Sequence, residues 1–250
     1  MTTEITNGAP RVWDRTRRGV TLVGDENELF YLNRDNEVGT FLVRVRPTAM
    51  NHAAEPISIP RLDVTGPAVD DTYVYWSEGS TSGFLLRRAL RSGDGSDVTT
   101  IATTPLRPEG MVVFGGFLYW GSLRVPVTGG TPAPFTSEPD VGIIAVGANV
   151  LYVAQYLPPN GYTVRVATMT VNGDMQTLVD LPQYEAPVFN CILDRGQLFW
   201  TTTHSTLNRM EAVGSTPVAI GNVDSSQAFG LTADAILYRF TETGYQTMPR

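Results

Sequence analysis

Apolar positions fall in short runs along the chain, and the runs are of four recurring kinds. The first is nearly continuous and built of small or branched residues: "GVTLVGD" from 19, "VTGPAVD" from 64, "EGMVVFG" from 109, "VGIIAVG" from 141, "FNCILD" from 189 and "AFGLTAD" from 228. Such runs predict strands buried on both faces. The second kind follows at once and centres on an aromatic triplet: Leu29-Phe30-Tyr31, Val74-Tyr75-Trp76, Leu118-Tyr119-Trp120 and Leu198-Phe199-Trp200, with related copies at Tyr152 and Tyr238. The third alternates. In "FLVRVR", Phe41, Val43 and Val45 are expected to face one way and Leu42, Arg44 and Arg46 the other, as in a half-buried strand. The fourth lies beyond a tight turn at Asp94-Gly95, Gly129-Gly130, Asn172-Gly173 or Gly214, residue types that supply the positive φ of hairpins. In the first repeat the longer "PTAMNHAAEP" precedes the expected fourth strand, "ISIP". Helices have no obvious place in this pattern.

The central aromatics Phe30, Tyr75, Tyr119, Tyr152, Phe199 and Tyr238 are 45, 44, 33, 47 and 39 residues apart. A period of about 42 residues is that of a four-stranded propeller blade. The expectation is therefore an all-β chain, a single domain over residues 1–250, folded as a six-bladed β-propeller of four-stranded antiparallel blades. The last repeat reaches Arg250 after three strands. An N-terminal strand within residues 1–16, "TTEIT" or the "RVWDR" that contains Trp13, is expected to complete the last blade and close the ring.

Composition then narrows the function. With 42% hydrophobic and 17% charged residues the chain can bury a sizeable core. All 18 basic residues are arginine, which excludes Schiff-base chemistry on lysine and a phosphate loop that needs one. The net charge is −7, and the arginines are dispersed apart from Arg15-Arg17-Arg18 and Arg87-Arg88-Arg91, so no nucleic-acid partner is expected. No transmembrane segment is predicted, since nowhere do about 18 apolar residues run together. The first 25 residues hold no apolar leader core; an extracytoplasmic location is expected if the chain is a processed mature form. Cys191, alone in an apolar strand, is expected to be a buried structural residue.

The repeat resembles those of six-bladed propellers of the YWTD and NHL superfamily type, closest in look to bacterial proteins whose units read inner strand, Asp, Leu-Tyr-Trp, Arg-Val-Pro, Gly-Gly. The likeness is best in "VDDTYVYWSEGSTSGFLLRRALRSGDGSDVTTIA" and in "GGFLYWGSLRVPVTGG". The aspartate that follows the triplet in receptor-type repeats is replaced here by Ser77-Glu78, Gly121-Ser122, Ala154-Gln155 and Thr201-Thr202, so a lipoprotein-receptor role is not implied.

In propellers of this kind, loops before the inner strands share a ligand-binding face with loops that join second to third strands. The first set maps to Arg107, Glu109, Glu138, Asp140, Tyr184 and Glu185, the second to Glu78, Tyr156, Tyr162 and His204. Together they are expected to form an acidic face with an aromatic rim. Two functions follow from it. One is a non-catalytic binding module that presents loops to a protein or small-ligand partner, with Tyr156 and Tyr162 in "AQYLPPNGYT" as anchors. The other is a metal-dependent hydrolase, lactonase or lyase in which Glu109, Asp140 and Glu185 hold a divalent ion such as calcium. A sugar-binding propeller is a third, slighter reading. Asp25, Asp70, Asp194 and Asp234 are expected to make turns to the second strands, and "SGDGSD" from 92 a hairpin in preference to a calcium loop. His204 and His52 have no recognisable orienting partner for catalysis, and no nucleophile elbow or paired-histidine motif occurs.

Overall fold

The computed structural model describes residues 22–24, 28–35, 39–46, 54–58, 61, 63–138, 140–157, 163–186, 189–204, 206–222, 229–231, 235–241 and 244–249. Branched and aromatic runs separated by glycine turns form strands, as their stiffness and pleat-filling shape favour. Blade one comprises β1 (Leu22–Gly24), β2 (Leu29–Asp35), β3 (Gly39–Val45) and β4 (Ala54–Pro56). Blade two comprises β5 (Val64–Val69), β6 (Tyr73–Ser80), β7 (Gly83–Leu90) and β8 (Thr99–Thr104). Blade three is shorter: β9 (Val112–Phe114), β10 (Phe117–Trp120), β11 (Leu123–Pro126) and β12 (Ala133–Pro134). Blade four has β13 (Val141–Val146), β14 (Leu151–Leu157), β15 (Thr163–Met169) and β16 (Met175–Pro182). Blade five has β17 (Phe189–Asp194), β18 (Gln197–Thr201), β19 (Thr206–Glu211) and β20 (Val218–Asn222). A last sheet holds β21 (Phe229–Leu231), β22 (Ala235–Thr241) and β23 (Gly244–Pro249).

Every sheet is an antiparallel meander, so the all-β class is as expected. The expected six four-stranded blades are corrected to five, because the last repeat carries three strand-length runs and forms a three-stranded sheet among the described residues. The N-terminal stretch 1–16 assigned to that sheet, with Trp13, lies outside the described residues, as do Asp25, His52, Tyr162 and Asp234. Two compact units divide between Phe135 and Thr136, the first holding β1–β12 and the second β13–β23.

Within each unit the triplet aromatics hold blade to blade. Val74 and Trp76 pack with Phe30, Leu32, Leu42 and Ile57 of the blade one segment, whereas Tyr75 packs with Met111, Leu118 and Trp120 of blade three. Neighbours along a strand point to opposite faces, so one triplet serves two interfaces. In the second unit Trp200 and Leu198 pack with Tyr152, Val166 and Leu181 in the same way. Truncating a buried aromatic of this size costs about 3–5 kcal/mol, which makes the triplets the main adhesive of the fold.

Three local expectations change. Burial of the first strand holds in blade two, where Val64, Thr65, Pro67 and Ala68 of β5 are buried, but not in blade four, where β13 has only Val141 buried; the second strand of blade two is buried throughout Val74 to Glu78. Second strands have hydrogen-bonded neighbours on both sides and packed sheets on both faces. The third strand of blade one does not alternate, because Arg44 is buried as well. Its guanidinium is satisfied by Glu55, by the carbonyl of Arg91 and by that of Gly93 at 2.6 Å, so it stitches blade one to blade two. The fourth strand of blade one is Ala54–Pro56, inside the segment read as an insertion. "ISIP" still tracks β3, since Ile57 N donates to Leu42 O at 2.8 Å and Ser58 Oγ accepts from Leu42 N at 2.8 Å.

The turn residues behave as their chemistry predicts. Asp70 Oδ1 accepts from the backbone of Thr72 and Tyr73 at 2.8 and 2.7 Å, and its Oδ2 accepts from the Tyr75 hydroxyl at 2.6 Å. "SGDGSD" is the β7–β8 hairpin, where Asp94 Oδ1 accepts from Ser96 N and Asp97 Oδ2 from Leu90 N. Gly95 there has φ 84° and lies so close to the Ile57 carbonyl that no Cβ fits.

Candidate functional site

The expected ligand face is composed differently in the two units. In the first, Gly79 N donates to Asp63 O at 2.6 Å, which sets the loop before β5 beside the end of β6, as expected of a shared face. Glu78, however, is not on a loop. Its strand runs on to Ser80, because Ser77, Glu78 and Gly79 still pair with Leu86, Leu85 and Phe84. The Glu78 side chain is buried; Oε1 accepts from Trp76 Nε1 at 2.8 Å and Oε2 from Arg87 Nε at 3.2 Å, with Arg61 Nε 4.0 Å away. A buried carboxylate must be paired in this way, and the pairing leaves it nothing to offer a ligand. The β6–β7 turn is therefore only Thr81-Ser82, as short as the Gly121-Ser122 turn of blade three.

Arg107 and Glu109 do sit on an exposed loop before β9. Arg107 spans two carboxylates, Asp63 Oδ1 at 3.0 Å and Glu109 Oε1 at 3.5 Å. Exposed pairs of this sort contribute about 0–1 kcal/mol, so they order the loop more than they stabilise the fold. Leu106 projects beside them, 59% exposed.

The second unit gathers most of the remaining candidates. Glu138 Oε2 accepts from Gln155 Nε2 at 3.1 Å, and the Asp140 carbonyl accepts from Tyr156 N at 3.2 Å. These bonds fasten the loop before β13 to the end of β14. Asp140 itself takes φ 54°, which aspartate tolerates better than most residues. After β16 the chain makes a 3-10 turn over Gln183–Glu185 and enters β17. That turn is anchored from below, since Trp200 Nε1 donates to the Glu185 carbonyl at 2.8 Å and Ala186 is buried against Ala154 and Val164. Tyr184 is left outside, 50% exposed, with its ring 5.4 Å from the exposed His204 ring and inclined by 37°. Thr202 Oγ1 accepts from His204 N and Thr206 N, both at 3.3 Å, and so fixes the His204 loop. Tyr156 is 40% exposed at the same end of blade four.

Sequence reasoning missed the residues that hold this face in place: Gln155, Thr202 and the Trp200 indole. A signal was present. The residue three beyond each central aromatic is polar in every repeat: Asn33, Glu78, Ser122, Gln155, Thr202 and Thr241. Polar residues in an otherwise apolar strand are affordable only where they bond something. Three of the set do so here, whereas Asn33 is buried with neither amide atom hydrogen-bonded.

The carboxylates proposed for a metal do not come together within a unit. Glu109 belongs to the first unit, Asp140 and Glu185 to the second. Among the described residues no group of three or more His, Cys, Asp or Glu could hold a metal ion. Cys191 is half-buried against the core between blades four and five, and desolvation pushes its thiol up to about 12, far from a nucleophile's range. No helix among the described residues is long and apolar enough to cross a membrane, which says nothing of a β-barrel.

No family model matches the sequence, and no curated protein matches it. Solved structures do. The chain is similar to oligogalacturonate lyase from Vibrio parahaemolyticus, with a TM-score of 0.65 at 8% identity over 88% of this chain and 73% of that one. It is similar to TolB from Acinetobacter baumannii, TM-score 0.60 at 12% identity, covering 85% of this chain and a little over half, 57%, of that one. BamB from Moraxella catarrhalis gives a TM-score of 0.53 at 10% identity, with 92% and 72% covered. With the five four-stranded meanders, these likenesses define the fold as a β-propeller. At such identities they carry the fold alone.

Proposed function

We propose that the chain is a non-catalytic binding module, which presents a rigid loop face of its second unit to a protein or small-ligand partner. One observation carries this reading. The aromatics central to the triplets, Phe30, Tyr75, Tyr119, Tyr152 and Phe199, are all buried, whereas Tyr156, Tyr184 and His204 are exposed on backbone tied down by buried groups. Exposed aromatics on an ordered backbone contribute contact area at low entropic cost, which is what an interface anchor needs. The blades are read as YWTD/NHL-like, a finer class supported by the Leu-Tyr-Trp triplets and by the Arg-Val-Pro and Gly-Gly of blade three.

The test is an unbiased peptide-display selection on the wild-type protein, counter-screened on a Tyr156→Ala/Tyr184→Ala variant of unchanged circular dichroism. Selected peptides should lose about tenfold or more in affinity on the variant. Selections that bind both proteins equally would place the interface elsewhere and overturn the reading.

A further inference from the structure

We infer that the Tyr184–His204 shelf and its neighbouring carboxylates form a docking surface for a basic peptide segment, whose arginine or lysine side chains lie on the aromatic faces. The inference rests on the binding-module reading and adds the chemistry of the partner.

The shelf is a built surface. Tyr184 and His204 come from different loops, the 3-10 turn before β17 and the β18–β19 connection, and meet at 5.4 Å. Both loops are held by buried groups, Trp200 Nε1 and Ala186 under the first and Thr202 Oγ1 within the second. Tyr184 is half exposed and His204 is exposed, so both rings present surface to a ligand. Tyr156 lies at the same end of blade four. Its neighbour Leu157 pairs with Thr163, and Thr163 with Pro182, two residues before Tyr184. Two strand spacings amount to about 10 Å, which about three residues of an extended peptide span.

Charge selects among the ligands that aromatics accept. Glu185 follows Tyr184 in the chain, Glu138 and Asp140 are tied to Gln155 and Tyr156 at the end of β14, and all three are exposed. Among the described residues the carboxylates of Asp140 and Glu185 have no hydrogen-bond or ion-pair partner. The nearby arginine, Arg165, is already occupied by both oxygens of Asp180, at 2.9 and 3.2 Å. Residues 136–250 hold ten acidic and five basic residues, a net charge of −5, against −2 for residues 1–135. An aromatic face beside unpaired carboxylates favours a cation, which the ring quadrupole and the negative field attract together. A neutral sugar would gain the stacking and leave the carboxylates unanswered.

The experiment measures fluorescence anisotropy of a labelled Arg-Gly-Ser repeat peptide, of the same peptide with citrulline for arginine, and of a neutral oligosaccharide, on the full chain. The arginine peptide should bind, weaken as salt is raised, and lose about tenfold with citrulline, which keeps the shape and drops the charge. Tyr184→Ala and Glu185→Gln should each weaken it, with circular dichroism and melting unchanged. Equal binding of the arginine and citrulline peptides, or oligosaccharide binding that Tyr184→Ala abolishes, would overturn the cationic partner while leaving a binding face in place. If the peptide selection on this face also yields nothing dependent on Tyr184, the binding-module reading falls with it.

Discussion

Trp76 donates its indole N–H to Glu78 Oε1 at 2.8 Å, two residues along the same strand, and blade three has no equivalent bond for Trp120. In blade five Trp200 uses the Glu185 carbonyl, four residues before the inner strand. The matching carbonyl in blade three is that of Pro108, and the Thr65 hydroxyl of blade two already donates to it. Blade four carries Gly142 where blade two carries Thr65, by the pairing of Gly142 with Ala154 and of Thr65 with Ser77. In blade three the Pro108 carbonyl is bonded by the Thr65 hydroxyl and the Trp120 indole is left unpaired, whereas in blade five the indole itself makes the bond. All three rings are buried to a similar degree, so replacement by phenylalanine removes similar apolar area from each. Trp120→Phe discards an unpaired donor, whereas Trp76→Phe and Trp200→Phe each strand an acceptor. The first should therefore cost about 1 kcal/mol less than either of the others, as read from denaturant unfolding midpoints.

Acid stability depends on the clamp between blades one and two. The hydrogen bond from Arg44 holds the Glu55 carboxyl below its ordinary value, helped by the charges of Arg44 and Arg46. A depressed folded-state pKa means that the unfolded chain binds the proton more readily. The contribution is thus complete above the ordinary glutamate value of 4.5 and is lost as pH falls through the lower, folded-state value. Thermal melts across that range should show a steeper loss for the wild type than for Glu55→Gln. Because Glu55 is 42% exposed, solvent screening keeps the difference small.

Cys191 should resist thiol reagents while the protein is folded. With its thiol pushed up to about 12, the thiolate fraction near neutral pH lies about a thousandfold below that of a free cysteine. Alkylation followed by mass spectrometry should be slow in buffer and fast in denaturant. Equal rates in both would mean that the strand β17 opens readily.

Much of the architecture was legible because it repeats. The aromatic triplets, the turn glycines and the period of the runs each point to one antiparallel blade, and agreement among them leaves little choice of local structure. Residues such as Asp70 and Gly95 could be read because their chemistry acts on their own backbone. The candidate face was legible only in part: the loops of Tyr184 and His204 could be assigned to one end of the blades, but their ring contact joins residues twenty positions apart. Glu78 was misplaced because polarity alone suggested a loop, when the strand ran on and Arg87 and Trp76 made burial tolerable. Arg44 was placed on the polar face of an alternating strand, but Glu55 beside it and two carbonyls of blade two make its burial tolerable.

Periodicity by itself determined that this is an all-β chain of meandering blades, since strand formation and turn formation depend on near neighbours in sequence. The tertiary structure decided that five of those blades have four strands, which polar side chains are buried and satisfied, and which aromatics remain exposed. Those outcomes depend on partners distant in sequence, some across the same blade, as Arg87 is for Glu78, and some in the next blade, as the Arg91 and Gly93 carbonyls are for Arg44.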